Sequence, residues 1–224
     1  MSDARPPNPD RDDSALERDI PSPTLTFFRQ WLKNPLATAA LSPSSRQLAR
    51  LMINELPANA ERVIELGGGT GVFTRALLDH GIRPDQLMVL ELNQELHVYL
   101  SQRFANARVV CGDARELRTL VRKYHFADSG SVDAVMSGLG LLSMSRRTQR
   151  EILEAAFGVM SPQGRFVQFT YGPVSPVARE LLDDLGLSVR RGGFAWWNIP
   201  PASVYVFERS RSTPVHPVRA PHKR

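Results

Sequence analysis

A glycine-rich turn directly after a short apolar run is the feature that most constrains the fold of this chain. Residues 63–66 predict a buried strand, and glycines stand at positions 67, 69 and 71 of the segment that follows. Apolar residues at helical spacing begin at Val72 and predict a helix. Glycine permits positive φ and a close approach of the backbone to a ligand. The order strand, glycine turn, helix therefore predicts a nucleotide-like cofactor at the carboxyl end of a first strand.

The spacing of the glycines distinguishes between two kinds of cofactor. A dinucleotide fingerprint would place glycines at positions 67, 69 and 72, but position 72 is valine. The pattern E-x-G-x-G-x-G over residues 65–71 instead resembles motif I of the class I S-adenosylmethionine-dependent methyltransferases. In that family the turn passes under the methionine and ribose parts of the cofactor. The alternative is a glycine-rich loop that binds no ligand, and three further elements downstream argue against it.

Length, charge and cysteine content limit the classes of protein to which the chain can belong. Its 224 residues suffice for one α/β domain with short extensions. The net charge of +5 fits an anionic partner, either a phospholipid surface or nucleic acid. Cys111 is the only cysteine, which excludes an intrachain disulfide and a cysteine-based zinc cluster and indicates a reducing cytoplasm. We predict no metal, no signal peptide and no membrane span, because the N-terminus is acidic and no apolar run is long enough.

The order of predicted elements indicates an α/β, Rossmann-like fold. Residues 1–23 are predicted to be a disordered arm, 24–57 a pair of helices forming a membrane-contacting lid, 58–208 the cofactor-binding domain and 209–224 a basic tail. Strands alternate with helices in the domain, which implies a mostly parallel sheet covered on both faces. The seven predicted strands span residues 62–66, 86–91, 108–110, 132–137, 165–170, 187–194 and 203–208. The predicted helices between them span 71–80, 93–103, 114–123, 145–159 and 176–185. The last two strands could form an antiparallel pair, and a closing antiparallel hairpin at the sheet edge is the arrangement of class I methyltransferases.

Polar side chains at the strand ends are candidate cofactor ligands. Glu91 ends the second strand, 24 positions after Gly67, where an acid can accept hydrogen bonds from both hydroxyls of a ribose. Asp113 follows the third strand and could contact an adenine amino group, cap the next helix, or do both. Glu65 could orient the turn or bind the methionine amine, and the loop that begins at Ser137 would face the transferred methyl group. The complete predicted cofactor set is Ser44, Glu65, Gly67, Gly69, Thr70, Gly71, Glu91, Asn93, Gly112, Asp113, Ala114, Ser137, Gly138 and Leu139.

Several short motifs, in one order along the chain, match a narrower family. They lie at residues 43–46 (Pro-Ser-Ser-Arg), 65–71, 112–114, 137–143, 166–173 (Phe-Val-Gln-Phe-Thr-Tyr-Gly-Pro), 198–202 and 204–206. Over residues 24–208 the chain resembles the soluble bacterial phosphatidylethanolamine N-methyltransferases. It departs from that pattern at Gly68 and Gly140, where many relatives have proline, and both changes loosen a loop by removing a fixed φ.

The resemblance implies a cofactor, an acceptor and a location. The cofactor would be S-adenosylmethionine, with S-adenosylhomocysteine as product. The acceptor would be the head-group amine of phosphatidylethanolamine and of its mono- and dimethylated derivatives, methylated toward phosphatidylcholine. The enzyme would be a cytoplasmic monomer, peripheral on the inner face of the membrane. Its partners would be these lipids and an anionic membrane surface, and no nucleic acid.

Candidate substrate residues lie near the N-terminus and after the fifth predicted strand. The ring of Tyr171 could hold an ammonium group by cation–π contact while its hydroxyl accepts from the amine, which makes it the candidate catalytic residue; a core tyrosine is the alternative. Helix 24–33 combines aromatic and basic residues, which suits either a helix lying on a membrane or one packed on the domain. The residues predicted to contact the membrane are Phe27, Phe28, Trp31 and Leu32. Those predicted to bind substrate are Arg29, Lys33, Arg46, Tyr171, Arg179 and Asn198.

Three other functions remain open from the sequence. A ribosomal RNA adenine N6-dimethyltransferase shares the core, but such enzymes usually carry a polar and an aromatic residue in the loop after the fourth strand, where residues 137–140 are Ser-Gly-Leu-Gly. A small-molecule methyltransferase would not require the aromatic and basic N-terminal helix. A cofactor-fold protein without activity could bind lipid or partners, although the intact turn glycines, Glu91 and Asp113 argue against it.

Overall fold

A computed structural model describes residues 43–171, 173–196 and 201–210, with the side chains of residues 43–45 left out. The predictions for the arm 1–23, the helix 24–33 and the tail after residue 210 lie outside the described residues. The same holds for the side chains of Phe27, Phe28, Arg29, Trp31, Leu32, Lys33, Ser44 and Asn198. The division into arm, lid, domain and tail therefore stays a prediction.

Seven strands form one mixed sheet. They are β1 Val63–Leu66, β2 Leu87–Glu91, β3 Arg108–Cys111, β4 Val132–Ser137, β5 Met160–Tyr171, β6 Leu187–Ala195 and β7 Ala202–Arg209. Their order across the sheet is β3-β2-β1-β4-β5-β7-β6. The first five strands pair in parallel, whereas β7 runs antiparallel to both β5 and β6. The predicted Rossmann-like sheet with an antiparallel last strand is thus confirmed, and its strand order reverses between β1 and β4, where ligands bind in open α/β sheets.

The described part of the chain contains six α-helices. They are α1 Pro43–Ile53, α2 Val72–His80, α3 Gln94–Arg103, α4 Leu117–Lys123, α5 Arg146–Val159 and α6 Arg179–Asp184. Short 3₁₀ turns cover Pro84–Gln86, Ala114–Glu116 and Leu141–Ser143. Helices α1 to α3 pack on one face of the sheet and α4 to α6 on the other, as the two apolar clusters of buried residues show.

Predicted boundaries differ from the structure by up to five residues, and two of these differences have a clear local cause. The segment predicted as helix 114–123 begins with a 3₁₀ turn, because the side chain of Asp113 caps Ala114–Glu116 before α4 starts. Strand β5 begins five residues earlier than the predicted 165, because Met160 already pairs with Val132. A register shift in the β4–β5 pairing then separates this early pair from the regular ladder. Both differences depend on specific hydrogen bonds, a side-chain cap and a strand pair, which a pattern of apolar residues does not predict.

Each face of the sheet has its own apolar core. Met52, Leu77 and Leu100 come from α1, α2 and α3 and are fully buried on one face. Leu117 and Leu153, from α4 and α5, are fully buried on the other. Burying one such side chain is worth roughly 1.5–3 kcal/mol. The helices are thus fixed against the sheet, and the start of α2 is held at its carboxyl edge, where the glycine turn lies.

Candidate active site

The glycine turn between β1 and α2 has the backbone conformation that its sequence predicts. Gly67, Gly69 and Gly71 have φ angles of 76°, 54° and 79°, a region that L side chains rarely adopt. The amide of Gly67 donates to the carbonyl oxygen of Leu90 on β2 at 2.8 Å, which ties the turn to the neighbouring strand. A Cβ atom at Gly71 would lie 2.3 Å from the ring of Phe104, so a side chain at this position has no room.

Glu91 connects the turn to the end of β2. One carboxylate oxygen accepts from the amide of Gly69 at 2.9 Å, and the other accepts from the amide of Asn93 at 2.8 Å. The carboxylate is almost fully buried and lines a cavity, so its remaining lone pairs are available to ribose hydroxyls. The side-chain oxygen of Asn93 caps α3 instead, accepting from Glu95 and Leu96, and Asn93 is absent from the cavity wall.

A cavity of about 340 Å³ lies beside the turn at the carboxyl ends of the strands. Six of the predicted cofactor residues line it: Gly67, Glu91, Gly112, Asp113, Ala114 and Leu139. Sequence reasoning missed the rest of its wall, which comprises Leu90, Leu92, Arg115, Met144, Thr148 and Ile152. Thr148 and Ile152 are four positions apart and share one face of α5, which was the available signal, whereas Met144 precedes that helix.

Asp113 caps the following turn, and its position also allows it to contact an adenine amino group. One carboxylate oxygen accepts from the amide of Arg115 at 2.9 Å and caps the 3₁₀ turn, which confirms the predicted capping. The other oxygen accepts from the Arg115 guanidinium at 2.6 Å and 3.0 Å. These hydrogen bonds hold the pKa of Asp113 below its ordinary value, although partial burial opposes them. The group is therefore an ionised acceptor in the cavity wall, suited to an adenine amino group.

Glu65 lies behind the turn and is fully buried. One carboxyl oxygen accepts from the hydroxyl of Thr74 on α2 at 2.6 Å, and the other has no partner among the described residues. Burial raises the pKa of Glu65 to about 8, which the hydrogen bonds from Thr74 only partly offset. The carboxyl group therefore holds a proton at neutral pH and links β1 to α2, an arrangement that supports its predicted role in orienting the turn.

The loop after β4 packs directly against the glycine turn. The amide of Gly138 donates to the carbonyl of Leu66 at 2.8 Å, and a Cβ atom at Gly138 would lie 3.0 Å from the carbonyl oxygen of Gly67. Ser137 is fully buried, and its hydroxyl accepts from the amide of Leu139 at 3.3 Å. The two loops can approach this closely only because glycines face each other.

Gln168 supports this loop from β5, a role that sequence reasoning did not assign. Its buried side-chain amide donates to the carbonyl of Leu139 at 2.9 Å. The side-chain oxygen of Gln168 has no partner among the described residues. The residue lies within the segment 166–173 that carries the resemblance, and a polar residue inside the apolar run of residues 166–169 was the signal that could have identified it.

Tyr171 ends a row of aromatic rings. Its ring packs edge-on against Phe169 with centroids 5.5 Å apart, and Phe169 lies 5.6 Å from the ring of Phe73 in the first turn of α2. A Cβ atom at Gly138 would be 3.8 Å from the Phe73 ring, so the row starts beside the loop that the sequence places opposite the transferred methyl group. Tyr171 itself is partly buried. Phe73 and Phe169 are further site candidates that the sequence did not single out.

The structure separates two of the arginines that the sequence predicts to bind substrate. Arg46 is exposed on α1 and lines a different cavity from the one beside Glu91. Arg179 begins α6, whose buried leucines belong to the core on the opposite face of the sheet. These two arginines therefore cannot hold the same phosphate group, and their predicted roles would have to be independent.

Two further kinds of feature are absent from the described residues, a metal-binding cluster and a membrane-spanning helix. Within the ranges given above, no group of three or more histidine, cysteine, aspartate or glutamate side chains could hold a metal ion. In the same ranges, every helix is too short or too polar to cross a membrane.

Comparison with known proteins identifies the family. The sequence profile described as "Methyltransferase domain" matches residues 63–164. The chain is also 33% identical to the ornithine lipid N-methyltransferase of Singulisphaera acidiphila over 186 residues, which are 80% of this chain and 92% of that protein. The chain belongs to the class I S-adenosylmethionine-dependent methyltransferases. This methyltransferase therefore shares a family with the ornithine lipid enzyme, which confirms the resemblance at the level of family and cofactor.

Two further relatives show how far the common core extends. The ribosomal RNA small subunit methyltransferase A of a Synechococcus species is 34% identical over 89 residues, which cover 39% of this methyltransferase and 28% of that protein. The crystal structure of the Burkholderia thailandensis 1,6-didemethyltoxoflavin-N1-methyltransferase, with bound S-adenosylhomocysteine, superposes with a TM-score of 0.58 at 15% identity. That superposition covers 83% of this methyltransferase and 86% of the Burkholderia protein and shows the common fold.

The cavity beside the turn fits the adenosine part of the cofactor of this methyltransferase. Glu91 offers a buried carboxylate to two hydroxyl groups, and Asp113 offers an ionised carboxylate to an amino group. Leu92 and Ile152 add apolar surface for the flat faces of a purine. Gly67 of the glycine turn forms part of the same wall. Which atoms contact the cofactor stays a prediction for each residue.

Proposed function

We propose that this methyltransferase transfers the methyl group of S-adenosylmethionine to the amine of a membrane-lipid head group, with phosphatidylethanolamine and its partly methylated derivatives as acceptors. The observation that carries the proposal is the aromatic row of Tyr171, Phe169 and Phe73 beside the cofactor turn. The relative that acts on ornithine lipid supports a lipid amine as the acceptor class. A monomeric state and a position on the inner face of the membrane stay predictions that accompany this proposal.

The cofactor side of the reaction needs residues that hold and orient. When bound, S-adenosylmethionine supplies an electrophilic methyl group on a sulfonium centre. Glu91 would fix the ribose and Asp113 the adenine, while the backbone of Gly67 and Gly69 leaves room for the rest. Glu65, protonated and bonded to Thr74, would keep the turn in place without adding a negative charge to the buried strand.

The acceptor side must deliver a neutral amine. A free alkylammonium has a pKa of about 10.4, so most of the substrate arrives protonated. An aromatic, partly dehydrated surface disfavours the charged amine relative to water, but it still binds cations through the ring faces. Tyr171 would accept a hydrogen bond from the amine through its hydroxyl and turn the nitrogen lone pair toward the methyl group. The proton leaves to water, and alignment of the two reactants supplies most of the remaining acceleration.

A cation–π row also suits repeated methylation. Each methyl group makes the head group larger and less hydrated, and aromatic faces bind such ammonium groups well. Hydrogen-bond donors on the amine disappear with each transfer, whereas contact with the rings of Phe169 and Tyr171 remains. The same row can thus hold the un-, mono- and dimethylated amine in turn.

An RNA acceptor is less well supported. The match to the ribosomal RNA enzyme covers little more than a quarter of that protein. A match of this length is expected from a shared cofactor-binding core alone. The loop after β4 consists of Ser137, Gly138, Leu139 and Gly140, and three of these are buried with no aromatic ring among them. The similarity to the ornithine lipid N-methyltransferase instead favours ornithine lipid as a second candidate acceptor.

The decisive experiment measures transfer of labelled methyl from S-adenosylmethionine to matched acceptors. Detergent micelles of phosphatidylethanolamine, its monomethyl derivative and ornithine lipid should be compared with ribosomal RNA. Label in mono-, di- or trimethylated phosphatidylethanolamine would support the proposal and count the steps. Label in ornithine lipid alone would keep lipid N-methylation and replace the acceptor. Label only in RNA would overturn the lipid assignment.

A further inference from the structure

A groove on the outer surface of α1, α2 and α3 carries an unbalanced positive charge. It forms a cavity of about 540 Å³ that the proposed reaction does not use. Four arginines line it: Arg46 and Arg50 from α1, Arg75 from α2 and Arg103 from α3. Asp79 is the one carboxylate on the described wall. We call this feature the arginine groove.

The arginines of the groove have no carboxylate partners in the part of the chain that the structure describes. Ion pairs elsewhere in this part involve other arginines, from Arg83 to Arg190. All four arginines of the groove are exposed. Four like charges around one cavity repel one another, and an anion bound between them would relieve this repulsion.

Two of the arginines are held in place by aromatic rings. The guanidinium of Arg75 lies 5.3 Å from the centroid of Phe104, and that of Arg103 lies 5.7 Å from the same ring. Arg103 also lies 5.7 Å from the ring of Tyr99 and donates a hydrogen bond to its hydroxyl. Phe104 is buried, so it is a fixed platform on which two cations converge. Planar guanidinium groups held in this way match the oxygens of a phosphate.

The remaining wall of the groove combines apolar residues with the polar side chains of Asn54, Thr70, His80 and Tyr99. Ala49, Ile53, Val72 and Ala76 lie between the charged side chains. A free anion would gain nothing from this surface, whereas a phospholipid offers both a phosphate and apolar chains. We propose that the arginine groove binds the phosphate of an anionic membrane phospholipid and thereby holds the enzyme on its substrate membrane. Tyr171, Phe169 and Phe73, the aromatic row proposed to hold the reacting amine, do not line the groove.

The groove is also placed to bring the active site to that membrane. Thr70 and Gly71 of the glycine turn form part of its wall, and the ring of Phe104 packs where a side chain at Gly71 would lie. A lipid phosphate bound at the Arg75 end of the groove would hold the carboxyl edge of the sheet near the membrane surface. This inference rests on the proposed function only in that the acceptor is a membrane lipid.

Vesicle binding tests the inference with matched charge variants. The groove variant is Arg75→Gln with Arg103→Gln, and the control is Arg122→Gln with Lys123→Gln on α4, across the sheet. Partition onto phosphatidylglycerol–phosphatidylcholine vesicles is measured beside vesicles of phosphatidylcholine alone. With about 1 kcal/mol for each basic residue at an anionic surface, the groove variant should bind roughly 30-fold more weakly than the wild type. The control should lose less than about threefold.

The outcomes separate this inference from the proposed function. Equal losses in the groove and control variants would show a diffuse charge effect and overturn the site. Binding of inorganic phosphate that depends on Arg75 and Arg103, without vesicle binding, would also overturn the lipid assignment. Methyl transfer to micellar phosphatidylethanolamine should be unchanged in the groove variant. If the wild type methylates no lipid in micelles yet binds anionic vesicles through the groove, the proposed function fails and the groove stands.

Discussion

Replacing Glu65 by glutamine should remove a pH dependence that this buried carboxyl group imposes on stability. Burial raises the pKa of Glu65 to about 8 from its ordinary value of 4.5. The unfolded chain ionises near the ordinary value, so folding takes up a proton between these two pH values. The stabilising contribution of the group is therefore complete below about pH 4.5 and is lost as the pH rises through about 8.

The size of the effect follows from this window. One proton taken up on folding changes the free energy of unfolding by about 1.36 kcal/mol per pH unit. Between about pH 5.5 and about pH 8, the wild type should lose about 3 kcal/mol relative to Glu65→Gln. The glutamine oxygen can still accept from the hydroxyl of Thr74, which lies 2.6 Å from the carboxyl group. The variant thus removes the titratable proton of the side chain and keeps its shape.

Urea unfolding at a series of pH values measures this difference. The wild type, Glu65→Gln and the control Glu116→Gln, an exposed residue, should be compared at one ionic strength. The difference in unfolding free energy between wild type and Glu65→Gln should grow steadily with pH, while that for the control stays flat. Profiles for the wild type and Glu65→Gln that run parallel to within about 1 kcal/mol would refute a protonated Glu65 in the folded protein.

Three further substitutions test the site. Glu91→Ala should weaken S-adenosylmethionine binding by about 10- to 100-fold in calorimetry, because a buried acceptor for the ribose is lost; unchanged affinity would remove Glu91 from the cofactor site. Gly71→Ala should lower the free energy of unfolding in urea by about 2–4 kcal/mol, because a positive φ is combined with a clash against the buried ring of Phe104. Its control Gly81→Ala, which has a positive φ but open space around it, should lower that free energy by only about 1 kcal/mol. Tyr171→Ala should lower kcat at least about tenfold, and Tyr171→Phe should lower it less, because it keeps the cation–π ring but loses the hydroxyl that accepts from the amine. The exposed control Tyr124→Ala should keep most of kcat, and equal losses in the two alanine variants would argue for a structural effect.

Local features of the site were predictable from the sequence. The turn glycines follow an apolar run, and their positive φ angles belong to the residue type that tolerates them. Glu91 ends a strand and Asp113 precedes a helix start, so both were expected at the carboxyl edge of the sheet. The wall contributed by α5 was harder to predict, because Thr148 and Ile152 reach the cavity only once α5 packs on the sheet.

The sequence by itself determined the alternation of strands and helices, the glycine turn and the family. These follow from periodicity and motif spacing over a few residues. Only the tertiary structure decided that Tyr171, Phe169 and Phe73 form one row and that Arg75 and Arg103 share the ring of Phe104. Such contacts join helices and strands that are far apart along the chain. They depend on which face of each element is buried and against which neighbour, and no local pattern records that choice.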